Sequence, residues 1–165
     1  MGMVALLLVT RVVIGDAFPP ERLMDADGAA VDVVVPGKIV VVDLFATWCE
    51  PCRDELPILE DLRARFGDRV AFVTISEDTG ADARDKVARF AAQMKLRAPI
   101  VFDGDHALYE RLGVRKLPTT YIVDATGTVR HINNGFGPGY RARVAKWIAD
   151  TLRAQDKRPA PATSH

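Results

Sequence analysis

Residues 39–52 read IVVVDLFATWCEPC, an apolar run that leads directly into Cys49 and Cys52, the only two cysteines among 165 residues. The run is too continuously apolar for a strand with one face in water, so it predicts a central strand buried on both faces. Residues 53–66 follow with the apolar spacing of a helix. The cysteines therefore lie at a strand-to-helix junction, where unpaired backbone N–H groups and the helix dipole favour a thiolate over a thiol. A Cys-x-x-Cys in this position indicates a dithiol/disulfide redox centre.

The composition is that of a soluble globular chain, with 48% apolar and 27% charged residues. A length of 165 residues is enough for one domain with a proper core. Lys plus Arg equals Asp plus Glu at 22 each, so no excess of basic charge favours a nucleic-acid partner or an anionic membrane surface. Two cysteines exclude a scaffold held together by several disulfides.

The N-terminal segment, residues 1–14, is mostly apolar but is interrupted by Arg11. A membrane span needs about 20 apolar residues, so this segment is too short to be one. A signal peptide carries basic residues ahead of its apolar stretch, whereas only Met1 and Gly2 precede this one. Two interpretations stay open: an extra strand, or the remainder of a trimmed signal anchor.

The rest of the chain predicts one domain over residues 15–153, followed by a polar, Pro-rich and disordered tail at residues 154–165. Apolar periodicity predicts strands near residues 22–24, 31–35, 39–46, 70–76, 99–103, 119–124 and 128–132, and helices near 53–66, 86–94, 108–112 and 141–153. Alternating strands and helices predict an α/β sandwich. The closing hairpin and the final helix predict a mixed rather than a wholly parallel central sheet.

Two motifs in this order resemble those of a known family. Residues 45–52, FATWCEPC, resemble the active-site signature of the thioredoxin superfamily, and residues 113–120, GVRKLPTT, resemble its loop with a cis-proline. Residues 77–103 add a helix and a strand between the motifs, and DELP at residues 54–57 follows the second cysteine; both features are similar to the TlpA/ResA-like subgroup. The resemblance covers about residues 15–152 and implies a thioredoxin-like fold and a thiol–disulfide oxidoreductase.

The two cysteines have distinct expected roles. Thiol–disulfide exchange needs an accessible thiolate, so Cys49 is expected to attack a disulfide of a partner protein and form a mixed disulfide. Cys52, expected to be more shielded, then attacks Cys49 and releases the partner. We expect no cofactor beyond this redox-active disulfide and no metal, because a zinc site needs about four ligands and His106, His131 and His165 offer no paired spacing.

Asp43 is an acid inside an apolar strand, where it is costly unless it is paired or protonated. It stands six positions before Cys49, like the buried aspartate of thioredoxins, whereas TlpA/ResA-like proteins often carry a neutral residue there. Burial should raise the pKa of Asp43 and suit it to accept the proton of Cys52. The alternative is a structural ion pair with a basic residue such as Lys86 or Lys38.

Glu50 places a negative charge beside the attacking sulfur. It should raise the pKa of the Cys49 thiol and oppose the helix dipole. The same Glu50-Pro51 dipeptide occurs in ResA-like proteins, and the resemblance therefore implies a reductant. The alternative is an ordinary solvated acid at a helix start.

Three further residues are predicted to bind the partner. The resemblance implies a cis peptide bond at Leu117-Pro118, in a loop that faces the cysteines and pairs with an extended partner peptide. Leu117 is bulkier than the residue before this proline in many relatives, which bears on the choice of partner. Trp48 is expected to cover the disulfide and to offer apolar surface.

The predicted activity is exchange of the dithiol with protein disulfides, in the reducing direction. One alternative is a peroxiredoxin-like peroxide reductase, which needs a threonine three residues before its cysteine; Ala46 holds that place. A second alternative is a copper(I) or assembly chaperone, disfavoured because no third ligand lies near the two cysteines.

The expected partners are protein thiols and disulfides and an upstream thiol reductant, and the chain is expected to be a monomer. By resemblance to TlpA/ResA-like proteins, the location is extracytoplasmic, either periplasmic or membrane-tethered, with a role in cytochrome c maturation and a membrane thiol transporter as electron donor. The lack of a clear signal peptide keeps a cytoplasmic location as the alternative.

Overall fold

The computed structural model describes residues 11–157. The strand-or-anchor prediction for residues 1–14 falls mostly outside this range, as does the predicted tail from residue 158 onward. The described chain forms seven strands, four α-helices and one 3-10 turn: β1 (Arg22–Asp25), β2 (Ala30–Asp32), β3 (Ile39–Phe45), α1 (Glu50–Phe66), the 3-10 turn (Gly67–Arg69), β4 (Val70–Ser76), α2 (Ala83–Met94), β5 (Ile100–Phe102), α3 (Ala107–Leu112), β6 (Thr119–Val123), β7 (Val129–Asn134) and α4 (Tyr140–Asp156). None of these helices is long and apolar enough to cross a membrane.

The seven strands form one sheet in the order β2-β1-β5-β4-β3-β6-β7. Strands β3, β4 and β5 run parallel, whereas β6 is antiparallel to β3, β7 to β6, and β1 to both β5 and β2. The predicted mixed sheet is therefore confirmed. Because β3 lies between β4 and β6 and all its residues are buried, the predicted central strand is confirmed as well.

The ends of α1 follow from the residues found there. Cys49 is its N-cap, and Pro51 lies in the first turn, where its missing N–H leaves no bond unmade. Gly67 ends the helix with a φ of +57°, in the left-handed region that favours glycine. At the other end of the chain, α4 continues to Asp156, so the first residues of the predicted tail are helical.

The strand β3 separates two apolar clusters. Its odd-numbered residues, such as Val41, pack in the cluster formed with α1, α2 and α4, and its even-numbered residues, such as Val42, pack in the cluster formed with α3. Side chains alternate across a strand, so Asp43 lies on the same face of the sheet as α1 and α4. This register places an acid beneath the helix that carries the cysteines.

Gly113 ends α3 in a crowded left-handed conformation, with a φ of +67°. A methyl carbon added there would lie 2.8 Å from Cγ and 3.1 Å from Cα of Arg11. We expect Gly113→Ala to lower the free energy of unfolding by about 2 kcal/mol, because the left-handed backbone and the close contact both oppose a side chain. Urea denaturation measures this loss.

Gly28 provides the matched control, since it has a φ of +83° and an added carbon would meet nothing within 4 Å. Gly28→Ala should therefore show only the backbone penalty, about 1 kcal/mol. Equal losses for the two variants would contradict a contribution from the Arg11 contact.

Candidate active site

Cys49 and Cys52 are joined by a disulfide, with an S–S distance of 2.09 Å and a Cα–Cα distance of 5.4 Å. The structure therefore represents the oxidised form. Cys49 is 4% exposed and Cys52 is fully buried, so Cys49 is the more accessible of the two, as predicted, but only slightly. The difference suits attack at Cys49 and a resolving role for Cys52.

The turn before Cys49 brings Trp48 to the surface. The turn is closed by the Cys49 N–H, which donates to the Ala46 carbonyl at 3.1 Å. Trp48 is 71% exposed, which is unusual for so large an apolar side chain. It offers apolar surface beside the disulfide, and its role in partner binding stays a prediction.

Glu50 extends into solvent from the first turn of α1, with its side chain 89% exposed. Its carboxylate lies 3.8 Å from Nε of Arg53. Water and this nearby cation both weaken the effect of its charge on the Cys49 thiol. Glu50 therefore lies beside Cys49 as predicted, but its effect on the pKa of the Cys49 thiol should be small.

The peptide bond Leu117-Pro118 is cis, as predicted. It directly precedes β6, which lies beside β3, so the loop stands at the same edge of the sheet as the end of β3 and the cysteines. The Pro118 carbonyl accepts a hydrogen bond from the Gly135 N–H at 2.7 Å. Leu117 is partly buried between the two apolar clusters.

Asp43 does not stand alone beneath the cysteines. The Thr120 hydroxyl lies 3.1 Å from Oδ1 of Asp43 and 2.9 Å from Oε1 of Glu55, and both carboxyl groups are buried. Lys86, one of the alternative partners for Asp43, instead pairs with Asp82 at 2.9 Å. The structure thus brings together two buried acids.

The sequence analysis did not single out Glu55 as a site residue. It lies three positions after Cys52, and residues at that spacing share one face of a helix. Cys52 is buried, so the spacing carried the signal that Glu55 points inward as well. Thr120 and Tyr140 carried no comparable signal, because each reaches the acids from a different element.

The hydrogen bonds of Thr120 indicate a shared proton. Its Oγ1 has three neighbours, the two carboxyl oxygens and the Tyr140 hydroxyl at 2.8 Å. Tyr140 can donate to Thr120, and Thr120 can donate its single proton to one carboxylate. The other carboxyl group makes a hydrogen bond only if it carries a proton itself. The geometry therefore favours one proton held between Asp43 and Glu55.

Burial and charge also favour one proton held between Asp43 and Glu55. Burial, reinforced by the charge of Glu55, raises the pKa of Asp43 well above its usual range, against the Thr120 hydrogen bond. Burial raises the pKa of Glu55 to about 7, with the Tyr140 and Thr120 hydroxyls opposing it. The second oxygen of each carboxyl group has no hydrogen-bond partner among residues 11–157. Such a pair can take up a proton near neutral pH.

A cavity of about 10 Å³ lies beside Asp43, with Glu60 and Thr74 among its other lining residues. This volume is close to the minimum that holds one water molecule. Asp43, Glu60 and Thr74 supply the polar part of its wall, and the rest is apolar.

The histidines of the described chain are engaged elsewhere. Nδ1 of His106 lies 2.7 Å from Glu77, and the ring of His131 stacks on Trp147 with centroids 4.7 Å apart. Within residues 11–157, no three His, Cys, Asp or Glu side chains come close enough to hold a metal ion. The expectation of a disulfide as the only redox group stays a prediction.

The structure offers no support for peroxide chemistry at Cys49. Ala46 occupies the position where that chemistry needs a threonine, and it is buried. The hydroxyl of Thr47 donates to Asp78 at 2.5 Å. Its proton is therefore already committed to a carboxylate.

Comparison with known proteins agrees with this geometry. The AhpC/TSA family profile matches residues 14–132. The chain is 31% identical over 130 residues to the thiol-disulfide oxidoreductase ResA of Geobacillus thermodenitrificans. The aligned region covers 76% of this chain and 72% of that protein. It is also 37% identical over 101 residues to the thioredoxin-like protein YneN of Bacillus subtilis. That aligned region covers 60% of this chain and 58% of YneN.

A solved structure with the same fold is that of a candidate thiol:disulfide interchange protein DsbE from Chlorobium tepidum. It superposes with a TM-score of 0.78 and 25% identity, over 86% of this chain and 99% of that one. The fold, the cysteine pair and the sequence relatives agree. The chain therefore belongs to the AhpC/TSA family and to its thioredoxin-like thiol–disulfide oxidoreductases.

Proposed function

We propose that the chain exchanges its Cys49/Cys52 dithiol with disulfides of partner proteins and acts as a reductant. The observation that carries this proposal is the Cys49–Cys52 disulfide at the start of α1, above a buried pair of acids that can hold a proton. The two cysteines are close enough to form and break this bond.

The reaction begins from the reduced form. The Cys49 thiolate attacks one sulfur of a partner disulfide, and the other partner sulfur leaves as a thiolate and is protonated. Cys52 then loses its proton and attacks the Cys49 sulfur, which breaks the mixed disulfide and releases the second partner thiol. The partner gains two electrons and two protons, and the chain ends as the disulfide seen in the structure.

The carboxyl pair supports the second step. Cys52 must lose a proton before it can attack, and it lies one turn from Glu55 on the buried face of α1. Asp43 and Glu55 together hold one proton most readily, so an ionised pair can accept the proton of Cys52. Neither acid needs to act alone.

The reducing direction follows from charge. Anionic groups near a thiolate destabilise it, and a destabilised thiolate shifts the equilibrium towards the disulfide of this chain. The buried pair acts in this sense, and the exposed Glu50 adds only a small contribution.

The location and the partners are also proposals. The similarity to ResA supports an extracytoplasmic enzyme that receives electrons from a membrane thiol reductant and serves cytochrome c maturation. Fractionation of the native host should find the chain outside the cytoplasm; recovery from the cytosol alone would contradict this. A monomer is expected in size-exclusion chromatography with light scattering.

Cys52→Ser tests the proposed reaction directly. Without the resolving sulfur, the mixed disulfide through Cys49 should accumulate with a partner and be released by dithiothreitol. Non-reducing electrophoresis after acid quenching measures the trapped species. Cys49→Ser is the matched control and should trap no partner through the remaining cysteine, because Cys52 is fully buried.

The wild type should reduce insulin disulfides faster than dithiothreitol alone. Its reduction potential, measured against glutathione, should lie near the reducing end of the thioredoxin-like range, about −270 mV. No insulin reduction would contradict the proposed activity. A potential near the oxidising end, about −120 mV, would contradict the proposed direction.

A further inference from the structure

A third buried carboxylate near the cysteines lies next to the cysteine turn, two residues after the end of β4. Asp78 is 5% exposed. Its Oδ2 accepts hydrogen bonds from the Thr47 N–H at 2.9 Å and the Ser76 hydroxyl at 3.0 Å, and its Oδ1 accepts one from the Thr47 hydroxyl at 2.5 Å. Two of these three bonds therefore end on one residue, two positions before Cys49.

Asp78 is compensated in a different way from the neighbouring acid. Glu77 faces His106 at 2.7 Å, whereas within residues 11–157 Asp78 has no ion-pair partner. A buried carboxylate is costly unless hydrogen bonds replace its hydration. Thr47 supplies two of the three hydrogen bonds that replace this hydration. Hydrogen bonds to a charged carboxylate are stronger than those between neutral groups, so the contact between Thr47 and Asp78 is a strong one.

Thr47 is held from a second direction as well. Its carbonyl accepts a hydrogen bond from Nη2 of Arg53 at 3.2 Å, and the turn closes through the Cys49 N–H to Ala46 bond. Asp78, two residues after β4, and Arg53 on α1 thus fix the N–H, hydroxyl and carbonyl of one residue. The next residue but one is Cys49, the N-cap of α1.

We propose that Asp78 is a positioning residue for thiol–disulfide exchange: it clamps Thr47 and so holds the Cys49 sulfur at the N-terminus of α1. The proposal rests on the proposed function of Cys49 as the attacking sulfur. Asp78 acts through Thr47 and does not touch the reacting atoms.

The clamp matters because the helix start stabilises a thiolate only at short range. The dipole effect is confined to the first turn of the helix. If the turn relaxes, the Cys49 thiolate spends less time near those N–H groups and is less often aligned for attack. Small displacements of a reacting atom can lower a rate by up to about a hundredfold.

The chain contains a matched control for this contact. Asp124 is a buried carboxylate that accepts hydrogen bonds from the N–H of Thr126 at 2.9 Å and from its hydroxyl at 2.6 Å. It follows β6, which is antiparallel to β3, so it lies at the edge of the sheet opposite the cysteines. The threonine contacts are matched and differ in location, whereas Asp124 also pairs with Arg130 at 2.6 Å. Thr126→Val is therefore the closer control, because it leaves that ion pair in place.

The test uses Thr47→Val and Asp78→Asn, each in a Cys52→Ser background, so that the alkylation rate reports on Cys49 alone. Thr47→Val removes the hydroxyl bond but keeps the Asp78 charge, whereas Asp78→Asn removes the charge. We expect Thr47→Val to slow alkylation of Cys49 by iodoacetamide at neutral pH about tenfold and to shift its pH profile to higher pH, because it loosens the turn and keeps the charge. Asp78→Asn also removes a negative charge, which favours the thiolate, so its alkylation rate should fall less. Thr47→Ser, which keeps the hydroxyl, should restore the rate.

The controls separate positioning from folding. Asp124→Asn and Thr126→Val should lower the melting temperature but leave the alkylation rate and its pH profile unchanged. In the resolving-competent chain, Thr47→Val should lower kcat for insulin reduction and leave KM unchanged. If Asp78→Asn does not fold, Thr47→Val still carries the test.

Unchanged alkylation of Cys49 in folded Thr47→Val would overturn the proposal, because the clamp would then be structural only. An equal loss in the Thr126→Val control would overturn it as well. If the wild type reduced no insulin while Thr47→Val still slowed alkylation, the proposed function would fail and the positioning role of Asp78 would stand.

Discussion

Glu55→Gln is expected to stabilise the oxidised protein above neutral pH, by about 3 kcal/mol at pH 8. Burial raises the pKa of Glu55 from 4.5 to about 7 in the folded chain. A carboxyl group with a raised folded pKa contributes its full stability below its unfolded pKa and loses it as the pH rises through the folded pKa. The loss should therefore occur between about pH 4.5 and 7. Glutamine keeps a hydrogen-bond acceptor for Thr120 and has no charge to bury.

Urea denaturation at several pH values measures this effect. The unfolding free energies of variant and wild type should be nearly equal near pH 4 and diverge in favour of the variant up to about pH 8. Glu50→Gln is the control, because Glu50 is on the same helix but 89% exposed, and it should show no such divergence. Parallel curves for Glu55→Gln and wild type would show that Glu55 does not titrate in this window.

Removing both buried acids should lower the exchange rate far more than removing either one. We expect Asp43→Asn and Glu55→Gln each to lower kcat for insulin reduction less than tenfold, and the double variant to lower it about a hundredfold. The reason is that both carboxyl groups contact the same Thr120 hydroxyl, and we therefore expect either one to replace the other as proton acceptor.

The control for this prediction is Asp54→Asn, an exposed acid beside Glu55, which should leave kcat unchanged. Intact folding of each variant is checked by its oxidised melting curve. If Asp43→Asn alone caused the full loss, Asp43 would be the sole acceptor, as in the simpler expectation from the sequence. A fully active double variant would exclude a proton role for the pair.

The two predictions concern the same pair of acids, the first through the free energy of unfolding and the second through the exchange rate. The proton affinity that lets the pair accept a proton near neutral pH also makes the folded chain less stable when both groups are ionised. A variant that gains stability by losing Glu55 should therefore lose catalytic capacity once Asp43 is replaced too. Conflicts of this kind between stability and activity are expected where charged groups are buried for function.

Short stretches of the sequence were enough to predict several structural features of this protein. The run before the cysteines, the Cys-x-x-Cys and the Leu117-Pro118 loop predicted the central strand, the redox pair and the cis peptide bond, and the structure has all three. The cis peptide bond was implied by the resemblance to the thioredoxin superfamily, whereas the strand and the redox pair follow from side-chain periodicity and from the cysteine spacing. The burial of Asp43 followed in the same way, from an acid within an apolar strand.

The tertiary structure decided what surrounds the cysteines. Thr120 lies 77 residues from Asp43 and 65 from Glu55, and Asp78 lies 31 residues from Thr47. Apolar periodicity shows which face of a strand or helix is buried, but not which polar group will stand opposite once the elements pack. That choice depends on the strand order and on the seating of α1 over the sheet. The sequence by itself thus determined the cysteine pair and its place at the start of a helix, and only packing decided which polar groups lie beneath that pair and against the turn before it.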